Sequence, residues 1–119
     1  MTLGAMIDAL KTARQDEMIR YDFGWLIPVK PDSYFGFYDH LAFGFAENHN
    51  PSTLARVGDL LAACHYANGA VFQGYKGGSY VMNRSTPLWA ANRGRSTCTA
   101  ITGLRALPWG YVIETAFQG

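Results

Sequence analysis

Recognisable catalytic signatures are missing from this sequence. It has no G-x-S-x-G elbow for a nucleophilic serine, no H-E-x-x-H, no H-x-T pair and no H-x-E with P-C-x-x-C. A Walker phosphate loop, G-x-x-x-x-G-K-[ST], is absent too. Asp22, Asp32 and Asp39 match the spacing of no metal loop. No catalytic residue, metal or cofactor is therefore expected.

Cysteine is scarce. Cys64 and Cys98 are the only two and form no C-x-x-C, which argues against a disulfide framework or a cysteine zinc site and leaves two buried thiols as the expectation. No apolar run nears the roughly 20 residues that cross a bilayer. The N-terminus mixes Asp8, Lys11 and Arg14 into its apolar pattern, unlike a signal peptide, so a cytoplasmic protein without membrane contact is expected.

Between Asp59 and Glu114 the chain has no acid. Residues 1–59 hold eight acidic and five basic residues, whereas 60–119 hold one acid, Glu114, and five bases: Lys76, Arg84, Arg93, Arg95 and Arg105. Such a segment cannot neutralise its own cations locally. They must pair with acids of the first half, with water or with an anion. The whole chain carries only +1, too little for an extended phosphate footprint, so nucleic acid is disfavoured as a partner.

What is present is the composition of a folded domain. The 119 residues are 49% hydrophobic and 14% aromatic, enough for a single domain over 1–119 that buries roughly 65% of its unfolded surface. Thr2 caps a helix carrying Leu3, Met6, Ile7 and Leu10, expected to end near Gln15 to Glu17. A second helix is expected from "NPST" at Asn50–Thr53, with Leu54, Val57, Leu61 and Cys64 on one face and a stop at Asn68–Gly69. Four identities between Thr2–Ala13 and Thr53–Cys64 raise the prospect of half-repeats, 1–50 and 51–119. The remainder is rich in Val, Ile, Thr and Tyr and reads as adjacent strands, with long loops at 25–34 and 83–96. The fold expected is α+β, two amphipathic helices packed on a mainly antiparallel sheet.

One stretch concentrates binding chemistry. In "GYKGGSY", glycines around Lys76 let the backbone turn sharply and approach a ligand, and the lysine offers a point charge. In "NRSTPLWAANRGR", Pro87 orients the chain ahead of Trp89, and Arg84, Arg93 and Arg95 flank it. Guanidinium groups hold phosphate bidentately and an indole offers a stacking face. The expected ligand-binding set is Tyr75, Lys76, Gly77, Gly78, Tyr80, Arg84, Trp89, Arg93 and Arg95. The cations contact phosphate, the rings wall a base, and backbone N–H groups near Gly77 and Gly78 line the site.

Taken together, "YDFG", "SYFGFYDHLAFG", "FQGYKGG", "TPLWAANRG" and "TAITGL" resemble a family of small phage-encoded proteins, over nearly the whole chain. The resemblance implies a counter-defence setting, in which small proteins sequester nucleotide signals, often as homo-oligomers, in the infected cell. The function expected is non-enzymatic binding of a small anionic nucleotide-like ligand. Two alternatives stay open. One is an interaction module presenting Trp25, Tyr34, Phe35 and Phe37 to a host protein. The other is a hydrolase of the same nucleotides using Asp39 and His40, which on a regular strand point to opposite faces.

Overall fold

The computed structural model describes residues 1–34, 37–74, 76–91 and 99–117. Helix α1 (Leu3–Lys11) is capped by Thr2, whose hydroxyl accepts the Ala5 N–H at 3.2 Å, and it buries Leu3, Met6, Ile7 and Leu10. It stops short of the expected end. The Gln15 side-chain amide donates to the carbonyls of Leu10 at 2.8 Å and Ala13 at 3.0 Å, so a side chain satisfies acceptors that a further turn would have used.

Strands β1 (Met18–Tyr21), β2 (Ile27–Tyr34) and β3 (Phe37–Ala46) follow, then helix α2 (Val57–Ala67). A small hairpin, β4 (Val71–Gln73) with β5 (Ser79–Val81), precedes β6 (Leu88–Ala90), β7 (Thr99–Leu107) and β8 (Gly110–Phe117). The architecture is α+β. Six strands form one sheet in the order β1-β8-β7-β6-β3-β2, and the hairpin forms a separate two-stranded sheet. The sheet is mixed, which corrects the expectation of a mainly antiparallel one: β1 runs parallel to β8, and β3 parallel to β6. The physical reason is the long connection from β3 to β6, which contains α2 and the hairpin and so can return the chain in the same direction. After α1 come three strands of the large sheet. After α2 come the separate hairpin and then three strands of the large sheet.

Both helices pack on one face of the sheet and against each other. Their inward residues, Met6, Leu10, Leu60 and Cys64 among them, join Ile19, Leu41, Phe43, Leu88 and Ile101 in one core. The α2 stripe is Val57, Leu60, Cys64 and Ala67. Leu54, expected on that helix, is buried from the segment before it, and Leu61 is only partly buried.

The sheet curls until its edge strands nearly meet. At one end a tight turn joins them: Leu26 N–H reaches back to Phe23 O at 3.3 Å, with positive φ at Gly24 (+60°) and Trp25 (+53°), and Tyr21 N–H donates to Leu26 O. At the other end residues 52–56 fill the gap. Ile19 N–H donates to Ala55 O on one side, while Leu54 N–H donates to Pro28 O and Lys30 N–H to Ser52 O on the other. Arg20, 8% exposed, adds bonds from Nη1 to Ile19 O (2.7 Å) and Ala55 O (2.9 Å). Burial and then the nearby Arg56 lower its pKa.

That role of 52–56 explains two departures from expectation. Helix α2 starts at Val57, not at "NPST", because the preceding backbone is spent on sheet pairing; Asn50 instead accepts the Ser52 N–H in a local turn. Residues 27–34, expected as loop on account of two prolines, form β2. An edge strand tolerates Pro28 and Pro31, and the pairing slips between Val29 and Pro31.

Candidate functional site

The candidate site grows from a fault in the β2–β3 pairing. Ser33 pairs with Leu41, but the next residue, Tyr34, pairs with Phe37, which leaves Tyr38, Asp39 and His40 outside the register. Ser33 Oγ donates to Tyr38 O and pins the distortion. Strict alternation of faces fails here, so Phe37 and His40 stack on one another at 5.5 Å between centroids and 11° between planes. β6 supplies the next ring. Trp89 pairs with Ala42, which brings its indole to His40 at 5.9 Å and 3°. Tyr34, almost fully buried, backs the row, 5.6 Å from Trp89 and 6.1 Å from Phe37. The outer member, Phe37, is 53% exposed.

Two ring nitrogens in this row, His40 Nδ1 and Trp89 Nε1, are buried without a hydrogen-bond partner among the described residues. An indole N–H only donates, whereas a histidine Nδ1 accepts or donates according to tautomer. Leaving each unmatched costs about 1–3 kcal/mol. The pair is therefore an expensive feature for a structure to keep on packing grounds alone. The other histidine nitrogen, Nε2, lies 3.8 Å from Asp39 Oδ1, too far for a hydrogen bond, and Asp39 is 75% exposed. The distortion has drawn these neighbours towards each other, yet not into a catalytic contact.

The expected ligand residues distribute as follows. Lys76 stands exposed at the tip of the β4–β5 hairpin, and Tyr80 on β5 packs against Tyr38 at 5.8 Å. Gly77 and Gly78 hold φ of +95° and +89°, the left-handed turn that glycine makes available. The Gly77 N–H is committed to Gly74 O at 3.0 Å and so is not free for a ligand. Gly74 permits close approach: a Cβ there would lie 2.9 Å from Tyr80 Cε2 and 3.1 Å from Tyr38 Cγ. The hairpin and Trp89 thus converge on the first residues of β3 from two sides. Arg84 is elsewhere. Its guanidinium pairs with Asp8 on α1 at 2.6 Å, and its backbone is bonded to Gly4. Tyr75, Arg93 and Arg95 lie outside the described residues.

Charge follows the same division. Of the second-half cations described, Arg84 is neutralised by a first-half acid and Arg105 lies 3.7 Å from Glu114, while Lys76 has no acidic partner among the described residues. Sequence reasoning missed Phe37 and His40 as members of the aromatic row, because only the slipped register makes residues three apart share a face. Among the described residues no three His, Cys, Asp or Glu side chains gather as a metal site, and no helix is long and apolar enough to cross a membrane. No family model, curated protein or solved structure matches the chain.

Proposed function

We propose that this protein binds a small nucleotide-like anion without turning it over, at the aromatic row of Phe37, His40 and Trp89. The observation that carries the reading is the pair of buried, unmatched nitrogens within a stack whose outer ring is half exposed. A heterocyclic base has donors and acceptors on its edge that can match such nitrogens, and a flat face for Phe37; base–aromatic stacking contributes about 1–3 kcal/mol. Lys76, with no acidic partner among the described residues, and Arg93 and Arg95, which follow β6 in the chain, are the phosphate contacts in this reading. The resemblance to phage proteins makes sequestration of a defence signal, by a homo-oligomer in the infected cell, the biological role proposed.

Thermal shift against cyclic dinucleotides, ADP-ribose and mononucleotides tests it. A true ligand at a hundredfold excess over its Kd stabilises by about 2.7 kcal/mol. Phe37→Ser, at a half-exposed position, is expected to abolish the shift while lowering the unliganded melting temperature only slightly. Ligand recovered intact after heat release supports binding alone; cleaved ligand would transfer the assignment to a hydrolase using Asp39 and His40. No stabilisation by any of these nucleotides overturns the proposal.

A second reading, an interaction module, is favoured by Trp25. This bulky residue holds a left-handed backbone and meets Trp109 at 5.4 Å, with 43% and 53% of the two exposed. Of the four residues expected in such a patch, Tyr34 is buried, Phe35 lies outside the described residues, and Trp25 and Phe37 flank opposite ends of the eight-residue β2.

A further inference from the structure

A groove of about 630 Å³ opens between α2, β2 and β4, apart from the aromatic row. Its volume lies in the range of small-molecule sites. One wall is a single helical stripe, in which Asp59, Ala62, Ala63 and Tyr66 follow one another at three- and four-residue spacing. This stripe is not the one buried in the core, which is Val57, Leu60, Cys64 and Ala67. The two alanines leave the space. Tyr66, 79% exposed, forms the lip, and Phe72 with Pro31 forms the far wall.

The polar groups are few and unequal. Lys30 lines the groove because the β2–β3 register slips between Val29 and Pro31, which removes Lys30 from the ladder, and slips of this kind re-aim a side chain. Its ammonium has no acidic partner among the described residues. Asp59 also lines the groove and keeps its negative charge, but its Oδ2 is directed to the helix cap, where it accepts the Arg56 N–H at 3.1 Å. A free cation at one end of an apolar, aromatic-lipped channel is complementary to a molecule with one negative head and a flat apolar body.

We infer that this groove is a second binding site, for a small ring-bearing organic anion such as an aryl carboxylate. The inference is separate from the proposed function and uses none of its residues. The head pairs with Lys30, and the ring lies along Ala62 and Ala63 between Tyr66 and Phe72. A neutral analogue of the same shape keeps the apolar contacts and loses the charge-assisted one, which separates a charge-selective site from a greasy depression.

The probe is 2-naphthoate, titrated into the full chain and followed by amide chemical shifts and calorimetry. Shifts are expected at Lys30, Ala62 to Tyr66 and Phe72. Binding is expected to weaken about tenfold for neutral 2-naphthamide and about tenfold in Lys30→Gln, the loss of one charge-assisted contact. Ala62→Leu, which fills the channel from an exposed position, weakens both probes. Phe37→Ser leaves naphthoate binding unchanged, so failure here is distinguishable from failure of the nucleotide site. Equal affinity for naphthoate and naphthamide overturns the anion assignment without reliance on any variant folding. Shifts centred on Phe37, His40 and Trp89, or no shift up to the solubility limit, overturn the site itself.

Discussion

Gly110→Ala tests the parallel β1–β8 pairing that completes the curl of the sheet. Gly110 opens β8, opposite Met18 of β1 and Leu107 of β7. A Cβ on residue 110 would lie 2.8 Å from the Met18 carbonyl oxygen and 3.6 Å from both its carbonyl carbon and its Cγ. The closest atom is backbone and cannot rotate away, so β1 must retreat by roughly half an ångström. It has little room to do so: Ile19 and Tyr21 are fully buried, and the Tyr21 hydroxyl donates to Phe43 O at 3.1 Å, beneath the strand that carries the aromatic row. Overpacking of this kind costs about 1–3 kcal/mol, and restricting the unfolded chain returns only about 0.4–1 kcal/mol. A net loss of about 1–2 kcal/mol is expected, a fall in melting temperature of roughly 4–8 °C for a chain of this size. Gly103→Ala is the control, since its Cβ would meet only the Glu114 carboxylate oxygen at 3.2 Å, the end of a flexible side chain. Urea titrations of both variants decide the matter. If Gly110→Ala is as stable as Gly103→Ala, β1 is not locked against β8 and the reasoning fails.

Two further expectations rest on buried and paired groups. Burial pushes the Cys64 thiol up from its ordinary 9.0 to about 12, and pushes the Tyr21 phenol upward as well. The folded chain therefore keeps protons that the unfolded chain releases. The resulting stabilisation is complete below pH 9 and is lost above it, by up to about 1.4 kcal/mol per pH unit for Cys64 alone. Denaturant titrations should show a shallower alkaline decline in Cys64→Ala between pH 9 and the onset of the Tyr21 contribution; identical slopes would contradict the assignment. Arg84→Gln breaks an ion pair whose side chains are about half exposed, so it should cost no more than about 1 kcal/mol, and nucleotide affinity should not change. A loss of affinity in that variant would return Arg84 to the ligand site.

Local chemistry was legible in the sequence where local forces decide. Thr2 caps α1 and Asn68–Gly69 ends α2 as the residue types require, and the β-rich runs from 99 and from 110 onwards are strands. Tertiary demand decided the rest. "NPST" has every mark of a helix start, yet its backbone closes the gap between β1 and β2, a need that exists only after the sheet has curled. Pro28 and Pro31 argue for loop until β2 proves to be the last strand of the sheet, bordered only by the short segment 52–54 and slipped in register beside Pro31. The stretch without acid between Asp59 and Glu114 implied that its cations would look beyond it: Arg84 pairs with Asp8, seventy-six residues away, and Arg105 lies 3.7 Å from Glu114. No pattern in "FGFYDH" announces that Phe37 and His40 share a face, because that depends on a pairing slip fixed by the partner strand.

Both candidate sites trace to the same hairpin. A regular β2–β3 ladder would alternate every side chain, sending Phe37 and His40 to opposite faces and holding Lys30 in step with β3. The slip at Val29–Pro31 takes Lys30 out of that step beside the groove, and the slip at Ser33–Tyr34 gathers three rings into a row. Each slip gives up ladder hydrogen bonds with β3. At the first, the Lys30 N–H is satisfied instead by Ser52 O at 3.0 Å, from the segment that covers the outer side of β2. The first is tied to Pro31, which has no N–H to give, and the second to the Ser33 hydroxyl bond to Tyr38 O. The irregularities therefore sit at the outermost hairpin of the sheet, and they bring together side chains that regular pairing would separate.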